Sequence, residues 1–147
     1  MAVLSEVFAT KHRGALARAE ALDAGADVPD EDVPHLELSD VTTLELEVLG
    51  EIAARTLRFG TGDLELEEVD LDHESLYELP PFLCEVLVEL GKAEDPEALA
   101  DVAAEWARSE EMGSTPAVTQ PVVADLVELV TKASRDGLSV YLWVEPA

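Results

Sequence analysis

Histidine and cysteine are the side chains of this chain best suited to metal binding or nucleophilic catalysis, and their spacing supports neither. His12, His35 and His73 fall on three different segments, and none has a His, Cys or carboxylate at the helical spacing of a zinc motif. Cys84 lies in an apolar run, without a basic neighbour in sequence that would stabilise a thiolate. We therefore expect no catalytic residue and no metal site, and we expect Cys84 to pack in the core.

A run of carboxylates begins like a calcium-binding loop, with Asp70, Asp72 and Glu74 at alternate positions. Such a loop requires glycine at its sixth position and a bidentate glutamate at its twelfth. Ser75 and Pro81 stand at those two positions. The run therefore predicts a cap and solvated carboxylates, and the sequence indicates no cofactor.

The charge balance restricts the function more than any motif does. The chain has 147 residues, of which 33 are acidic and 9 are Lys or Arg, so its formal net charge is −24 at pH 7. Because so negative a surface repels phosphate, we expect no direct binding to nucleic acid or to an anionic membrane. The 48% of hydrophobic residues suffices for the core of a single domain, residues 1–147.

The chain carries the marks of a cytoplasmic protein. Its one cysteine allows no intramolecular disulfide, which fits a reducing compartment. The basic residues near the N-terminus follow the first apolar stretch, which is the reverse of their order in a signal peptide. We also find no apolar run of the roughly 18 residues that a membrane-spanning helix needs.

Hydrophobic periodicity predicts an α+β domain of four or five helices and about three short strands. The C-terminal strand is the clearest, with Tyr141 and Trp143 on one face and Leu138, Val140, Leu142 and Val144 on the other. Between the first helix and the first strand we predict an acidic loop over residues 23–34. The predicted helices cover 11–22, 42–57, 79–90, a segment opening at Asp95 to Glu97, and 119–136, and the predicted strands cover 35–39, 63–70 and 138–144.

Local signals set several of these boundaries. Thr42 and Glu45 have the spacing of a capping box, which predicts a helix start. Gly91 and Gly137 are expected to end the helices that precede them. Trp106 lies on the apolar stripe of its helix and is expected in the core.

The carboxylates between residues 30 and 78 are the candidate functional surface. Their mutual repulsion lowers stability, so the surface either keeps the protein dissolved or attracts a basic partner. Aromatic side chains within an acidic surround are typical anchors of protein interfaces. The candidate partner-binding residues are Glu45, Glu47, Glu51, Glu65, Glu67, Glu68 and Asp70, with Tyr141 and Trp143 as anchors.

Two segments resemble a pattern found in small actinobacterial proteins of unknown function: Trp106 to Glu111, followed by a helix, and the strand Leu138 to Val144. The whole profile, a small acidic α+β domain without a catalytic constellation, also resembles the immunity proteins of bacterial toxin systems. Those proteins neutralise a cognate toxin by binding it. The resemblance implies a non-catalytic inhibitor that occludes a basic toxin or nuclease, and it implies no individual functional residue.

Two other functions stay open at this point. The protein could be an oligomeric scaffold or accessory subunit, a homodimer for example, with Tyr141 and Trp143 packed between protomers. It could also be an enzyme that uses a pair of carboxylates, although no pair stands out in the sequence. We favour the inhibitor and expect no enzymatic activity.

Overall fold

Five helices and five strands form an α+β domain in this computed structural model, which describes residues 3–26 and 33–146. All strand pairs are antiparallel. In chain order the elements are β1 (Leu4–Thr10), α1 (His12–Ala24), β2 (His35–Ser39), α2 (Thr43–Leu57), β3 (Glu67–Glu68), β4 (Leu76–Glu78), α3 (Pro81–Lys92), α4 (Ala98–Arg108), α5 (Pro116–Asp136) and β5 (Ser139–Val144). The strand order in the sheet is β2-β1-β5-β4-β3, so β5 lies at the centre.

The alternation of side chains along β5 separates the two faces of the sheet. Val140 and Leu142 point into the main core, which helices α2 to α5 cover. Tyr141 and Trp143 point to the opposite face, where they pack with Phe8 and with α1. The sequence prediction of two distinct faces on this strand is confirmed, and both faces are buried.

The α2 helix begins at the predicted capping box. Glu45 Oε1 accepts a hydrogen bond from the Thr42 backbone N–H at 3.1 Å, which satisfies one of the unpaired donors at the helix start. The buried side of the helix includes Leu46, Leu49 and Ile52. Apolar residues at this spacing place α2 firmly against the main core.

The sheet has more strands than the sequence predicted. The expected strand at 63–70 is reduced to the two residues of β3, whereas β1 and β4 were not predicted. Residues 63–66 lie outside the strand, and Leu64 packs on α2. A Cβ added at Gly50 would lie 2.9 Å from the Leu64 side chain, so the absence of a side chain at Gly50 makes room for it.

Several further boundaries differ from the sequence prediction, among them the starts of α4 at Ala98 and of α5 at Pro116. The α3 helix continues through Gly91 to Lys92, because Gly91 serves close packing and not termination: a Cβ there would lie 2.6 Å from Val127 Cγ1 of α5. The α1 helix includes Asp23 and ends at Gly25, whose left-handed conformation closes it. The predicted acidic loop 23–34 therefore begins later, and its residues 27–32 lie outside the described residues.

None of the helices within residues 3–26 and 33–146 is both long and apolar enough to cross a membrane.

Candidate functional site

A buried ion pair joins α1 to the sheet. Arg18 donates two hydrogen bonds to the Glu6 carboxylate, at 3.0 and 2.9 Å, and both side chains are only 6% exposed. The Arg18 guanidinium also lies 5.2 Å from the centroid of the Phe8 ring. Moving α1 would separate the two residues and leave two unpaired charges in a buried site. The pair therefore favours this one position of α1 on the sheet.

A second polar contact lies at the end of α1. The Asp23 carboxylate accepts a hydrogen bond from Ser75 Oγ at 2.8 Å and another from Trp143 Nε1 at 2.8 Å. These bonds connect the end of α1 with the start of β4 and with β5. Asp23 is therefore a structural carboxylate, which satisfies two donors of the sheet.

His73 makes the third contact, between α1 and the turn that joins β3 to β4. Its Nδ1 lies 2.6 Å from Asp70 Oδ1, and its Nε2 lies 3.0 Å from Glu20 Oε1. The hydrogen bonds to Asp70 and then to Glu20 raise the pKa of His73, while its bond lowers the pKa of Asp70. A protonated His73 therefore donates to both carboxylates. We call the residues of these three contacts the α1 cluster: Glu6, Arg18, Glu20, Asp23, Asp70, His73, Ser75 and Trp143.

Carboxylates of a different kind crowd together near α2. Burial raises the pKa of Glu47, and the charges of Glu65 and Asp63 raise it further, against a backbone hydrogen bond from Leu66. At the edge of the sheet, Glu67 of β3 stands directly opposite Glu78 of β4. We call this surface the acidic edge: Glu47, Asp63, Glu65, Glu67, Glu68 and Glu78.

Arg55, on the same helix as Glu47, is engaged outside the acidic edge. Arg55 forms an ion pair with Glu105 of α4. Glu51 lies in a shallow depression together with Arg55, Glu105 and Arg108. Glu51 is thus part of a mixed-charge surface between α2 and α4, one helical turn from Glu47 of the acidic edge.

The predicted partner-binding residues therefore fall into three groups. Glu47, Glu65, Glu67 and Glu68 lie on the acidic edge, and Glu51 lies on the mixed-charge surface. Of the other four, Glu45, Tyr141 and Trp143 are buried, whereas Asp70 stays partly exposed with its carboxylate bound to His73.

The expectation of an accessible position is corrected for Glu45, Tyr141 and Trp143, which are buried. Glu45 is 9% exposed because it caps α2, and Asp70 binds His73. Tyr141 and Trp143 are 1% and 7% exposed beneath α1, so neither is an accessible anchor. Because α1 of the same chain covers both side chains, the expectation that these aromatics pack between protomers is corrected as well.

A groove adjoins the acidic edge at Glu78. Its volume is about 450 Å³, and α3, the end of α5 and the strand ends of β4 and β5 surround it. Apolar side chains form most of its wall, and Glu78, Glu85 and Glu89 are its acidic members. The other lining residues are Phe59, Leu79, Pro81, Cys84, Val88, Val130, Ser134, Leu138, Ser139 and Val140.

Cys84 lies in this groove as an inert thiol. Burial raises the pKa of Cys84 to about 12, and the charges of Glu78 and Glu85 act in the same direction. At neutral pH the thiol is therefore protonated and behaves as a small apolar surface. Cys84 was expected in the core. Its side chain packs against the core but is only partly buried, and it lines the groove.

Sequence reasoning missed the α1 cluster, Asp63 and the groove. Residues that contact each other in the α1 cluster are far apart in the chain, as Asp23 and Trp143 are. No local spacing therefore predicts their contacts. The one local signal was the spacing of Asp70 and His73, which sit three residues apart. That signal predicted a cap and not the contact with Glu20.

Within the described ranges, no three His, Cys, Asp or Glu side chains converge in an arrangement that would hold a metal ion. No family model, curated protein or solved structure matches this chain.

Proposed function

We propose that this protein is a non-catalytic binding protein whose acidic edge docks on a basic partner protein. The observation that carries the proposal is the crowding of like charges at this edge, where Glu67 stands directly opposite Glu78 and the exposed Glu65 and Glu68 are close by in the chain. Carboxylates so placed repel one another, and a cationic surface would remove that repulsion on contact. Loss of this electrostatic repulsion would therefore contribute favourably to the binding free energy.

The division of the carboxylates supports this choice of surface. Those of the α1 cluster already have donors, so a partner would gain little from them. Glu65, Glu67 and Glu68 are exposed, and Glu67 and Glu68 form the edge strand β3. A surface of this kind accelerates association with a basic protein through long-range attraction.

The biological role we propose is that of an immunity-type inhibitor. An acidic domain that covers the basic surface of a toxin or nuclease blocks access of its substrate by occlusion, without any reaction of its own. A cytoplasmic protein without direct contact to nucleic acid suits this role. The resemblance to toxin-immunity proteins in size, acidic charge and predicted fold class also supports this role.

The proposal is tested by capture of a partner from cells that make the protein. The tagged chain is incubated with lysate at low and at high salt, and bound proteins are identified by mass spectrometry. We expect one basic protein in stoichiometric amount at low salt and less of it at high salt. Association kinetics are then measured with that partner after purification.

Charge reversal separates the acidic edge from the general charge of the chain. The variant E65K/E67K/E68K should slow association at least about tenfold at low salt and flatten its salt dependence. The control E94K/E110K/E111K changes the same number of exposed carboxylates elsewhere. Equal effects of both variants, or capture of no basic protein, would reject the acidic edge as the binding surface.

A further inference from the structure

The groove beside the acidic edge combines an apolar wall with an acidic rim. Leu79, Val88 and Val140 are among its apolar members, and the protonated thiol of Cys84 extends that surface. Among the described residues that line it, no lysine or arginine is present to neutralise the rim. Its volume lies within the range of roughly 300–1,000 Å³ typical of ligand pockets.

We propose that this groove binds apolar side chains of a cationic amphipathic segment of the partner protein, while Glu78, Glu85 and Glu89 pair with the lysines or arginines of that segment. The inference rests on the proposed function, since it assigns a second contact to the same basic partner. Glu78 belongs both to the rim and to the acidic edge, so the two surfaces are continuous. A partner steered by the acidic edge would therefore reach the groove without changing its orientation.

Charge complementarity selects this occupant over a second copy of the chain. A second copy would bring a net charge of −24 towards the three glutamates of the rim. A cationic segment brings the opposite charge, and burial of its apolar side chains supplies an attraction that salt does not screen. Binding in the groove should therefore persist at ionic strengths that weaken binding to the acidic edge.

Ser134 offers a way to fill the groove without removing a buried contact. It lies on α5, is exposed, and lines the groove. The variant S134W places an indole in the groove, whereas the control S134A leaves the groove open. An independent variant, E85Q/E89Q, neutralises most of the rim, with E110Q/E111Q as the control of equal charge.

Two synthetic peptides serve as probes. One is an amphipathic helical peptide of lysine and leucine, and the other has the same lysines with glutamine in place of leucine. Binding to the isotopically labelled protein is followed by backbone amide chemical shifts and by titration at low salt. We expect the leucine peptide to shift the amides of Val88, Ser134 and Leu138, and the glutamine peptide to shift only those of the acidic edge.

The variants give the quantitative result. S134W should weaken the leucine peptide about tenfold, as expected for loss of one buried apolar side chain, and S134A should change its affinity less than twofold. E85Q/E89Q should weaken it more than E110Q/E111Q does. Amide spectra of each variant show whether its fold is retained, and the rim variant provides the test if S134W does not fold.

Each of the remaining outcomes contradicts a specific statement. If both peptides shift the acidic edge and leave the groove unchanged, the inference about the groove is wrong and the proposed function stands. If neither peptide binds at low salt, the acidic edge attracts no cationic protein segment and the proposed function fails with it. If light scattering shows a dimer that S134W dissociates, the groove binds a second copy and our inference is overturned.

Discussion

The α1 cluster and the acidic edge use the same side chains in opposite ways. In the α1 cluster, each carboxylate meets a donor from another element, as Glu6 meets Arg18 and Asp23 meets Trp143. On the acidic edge, Glu67 faces Glu78 across two strands, and the charges of Glu65 and Asp63 act on Glu47. Paired carboxylates hold the fold together, whereas crowded ones repel one another and weaken it.

This comparison shows that total charge says little about which carboxylates have a function. A net charge of −24 is a property of the whole chain, but some of its carboxylates are paired in the α1 cluster and others are crowded on the acidic edge. Substitutions confined to one region leave the other as an internal reference.

The largest effect is expected when the buried pair of the α1 cluster loses its cation. The substitution R18M leaves Glu6 charged and buried without its partner, and it should lower the free energy of unfolding by about 3–5 kcal/mol. Urea denaturation at pH 7 measures the change. The double variant E6L/R18M replaces both charges and should recover most of the loss. A loss below about 1 kcal/mol in R18M would show that this pair does not hold α1 in place.

A smaller effect is expected at His73, and it depends on pH. Because the folded protein raises the pKa of His73 above its ordinary 6.5, protonated His73 stabilises the fold. This contribution is complete below pH 6.5 and is lost as the pH rises through the raised pKa. It also declines at low pH, as the pH falls through the lowered pKa of Asp70.

Thermal unfolding at a series of pH values tests His73 directly. Relative to H73Q, the wild type should be most stabilised in mildly acidic buffer and should lose that advantage towards alkaline pH. The variant H12Q, which removes an exposed histidine from the start of α1, serves as the control and should keep the pH dependence of the wild type. Parallel curves for the wild type and H73Q would show that His73 does not link α1 to the turn.

The smallest effect is expected on the acidic edge, and its sign is opposite. The substitution E67Q removes one of two like charges that stand directly opposite each other, so the free energy of unfolding should rise by roughly 0.2–1 kcal/mol. The gain should shrink as salt increases. Its neighbour Glu68 stands opposite Tyr77, so E68Q removes the same charge without that relief. Equal gains in both variants would mean that register does not matter and only net charge does.

The helices could be predicted from the sequence because their signals are local. The spacing of Thr42 and Glu45 and the apolar stripe of α2 lie within one element, so the prediction of this helix is confirmed. The strands β1 and β4 have no such signal. In β1 every residue from Ser5 to Ala9 is buried, including the charged Glu6, which removes the polar alternation typical of a half-exposed strand. In β4 only three residues are paired.

The candidate site was predictable only in its composition. An abundance of glutamate between residues 45 and 68 is visible in the sequence, but what each carboxylate meets is decided by packing. Glu45 turned out to be a helix cap and Glu47 a member of the acidic edge, although they are two residues apart. Likewise, the prediction that Tyr141 and Trp143 share one face of β5 is confirmed. That this face is covered depends on the position of α1, which no local pattern in the sequence indicates.

The central position of β5 has a consequence for the order in which the protein can fold. Val7 near the beginning of the chain pairs with Leu142, so the sheet closes through contacts of very large sequence separation. On the ribosome, β1 and β4 must wait with exposed edges until β5 has been synthesised and inserted between them. Newly made chains are therefore most vulnerable to mispairing and aggregation just before the last strand emerges.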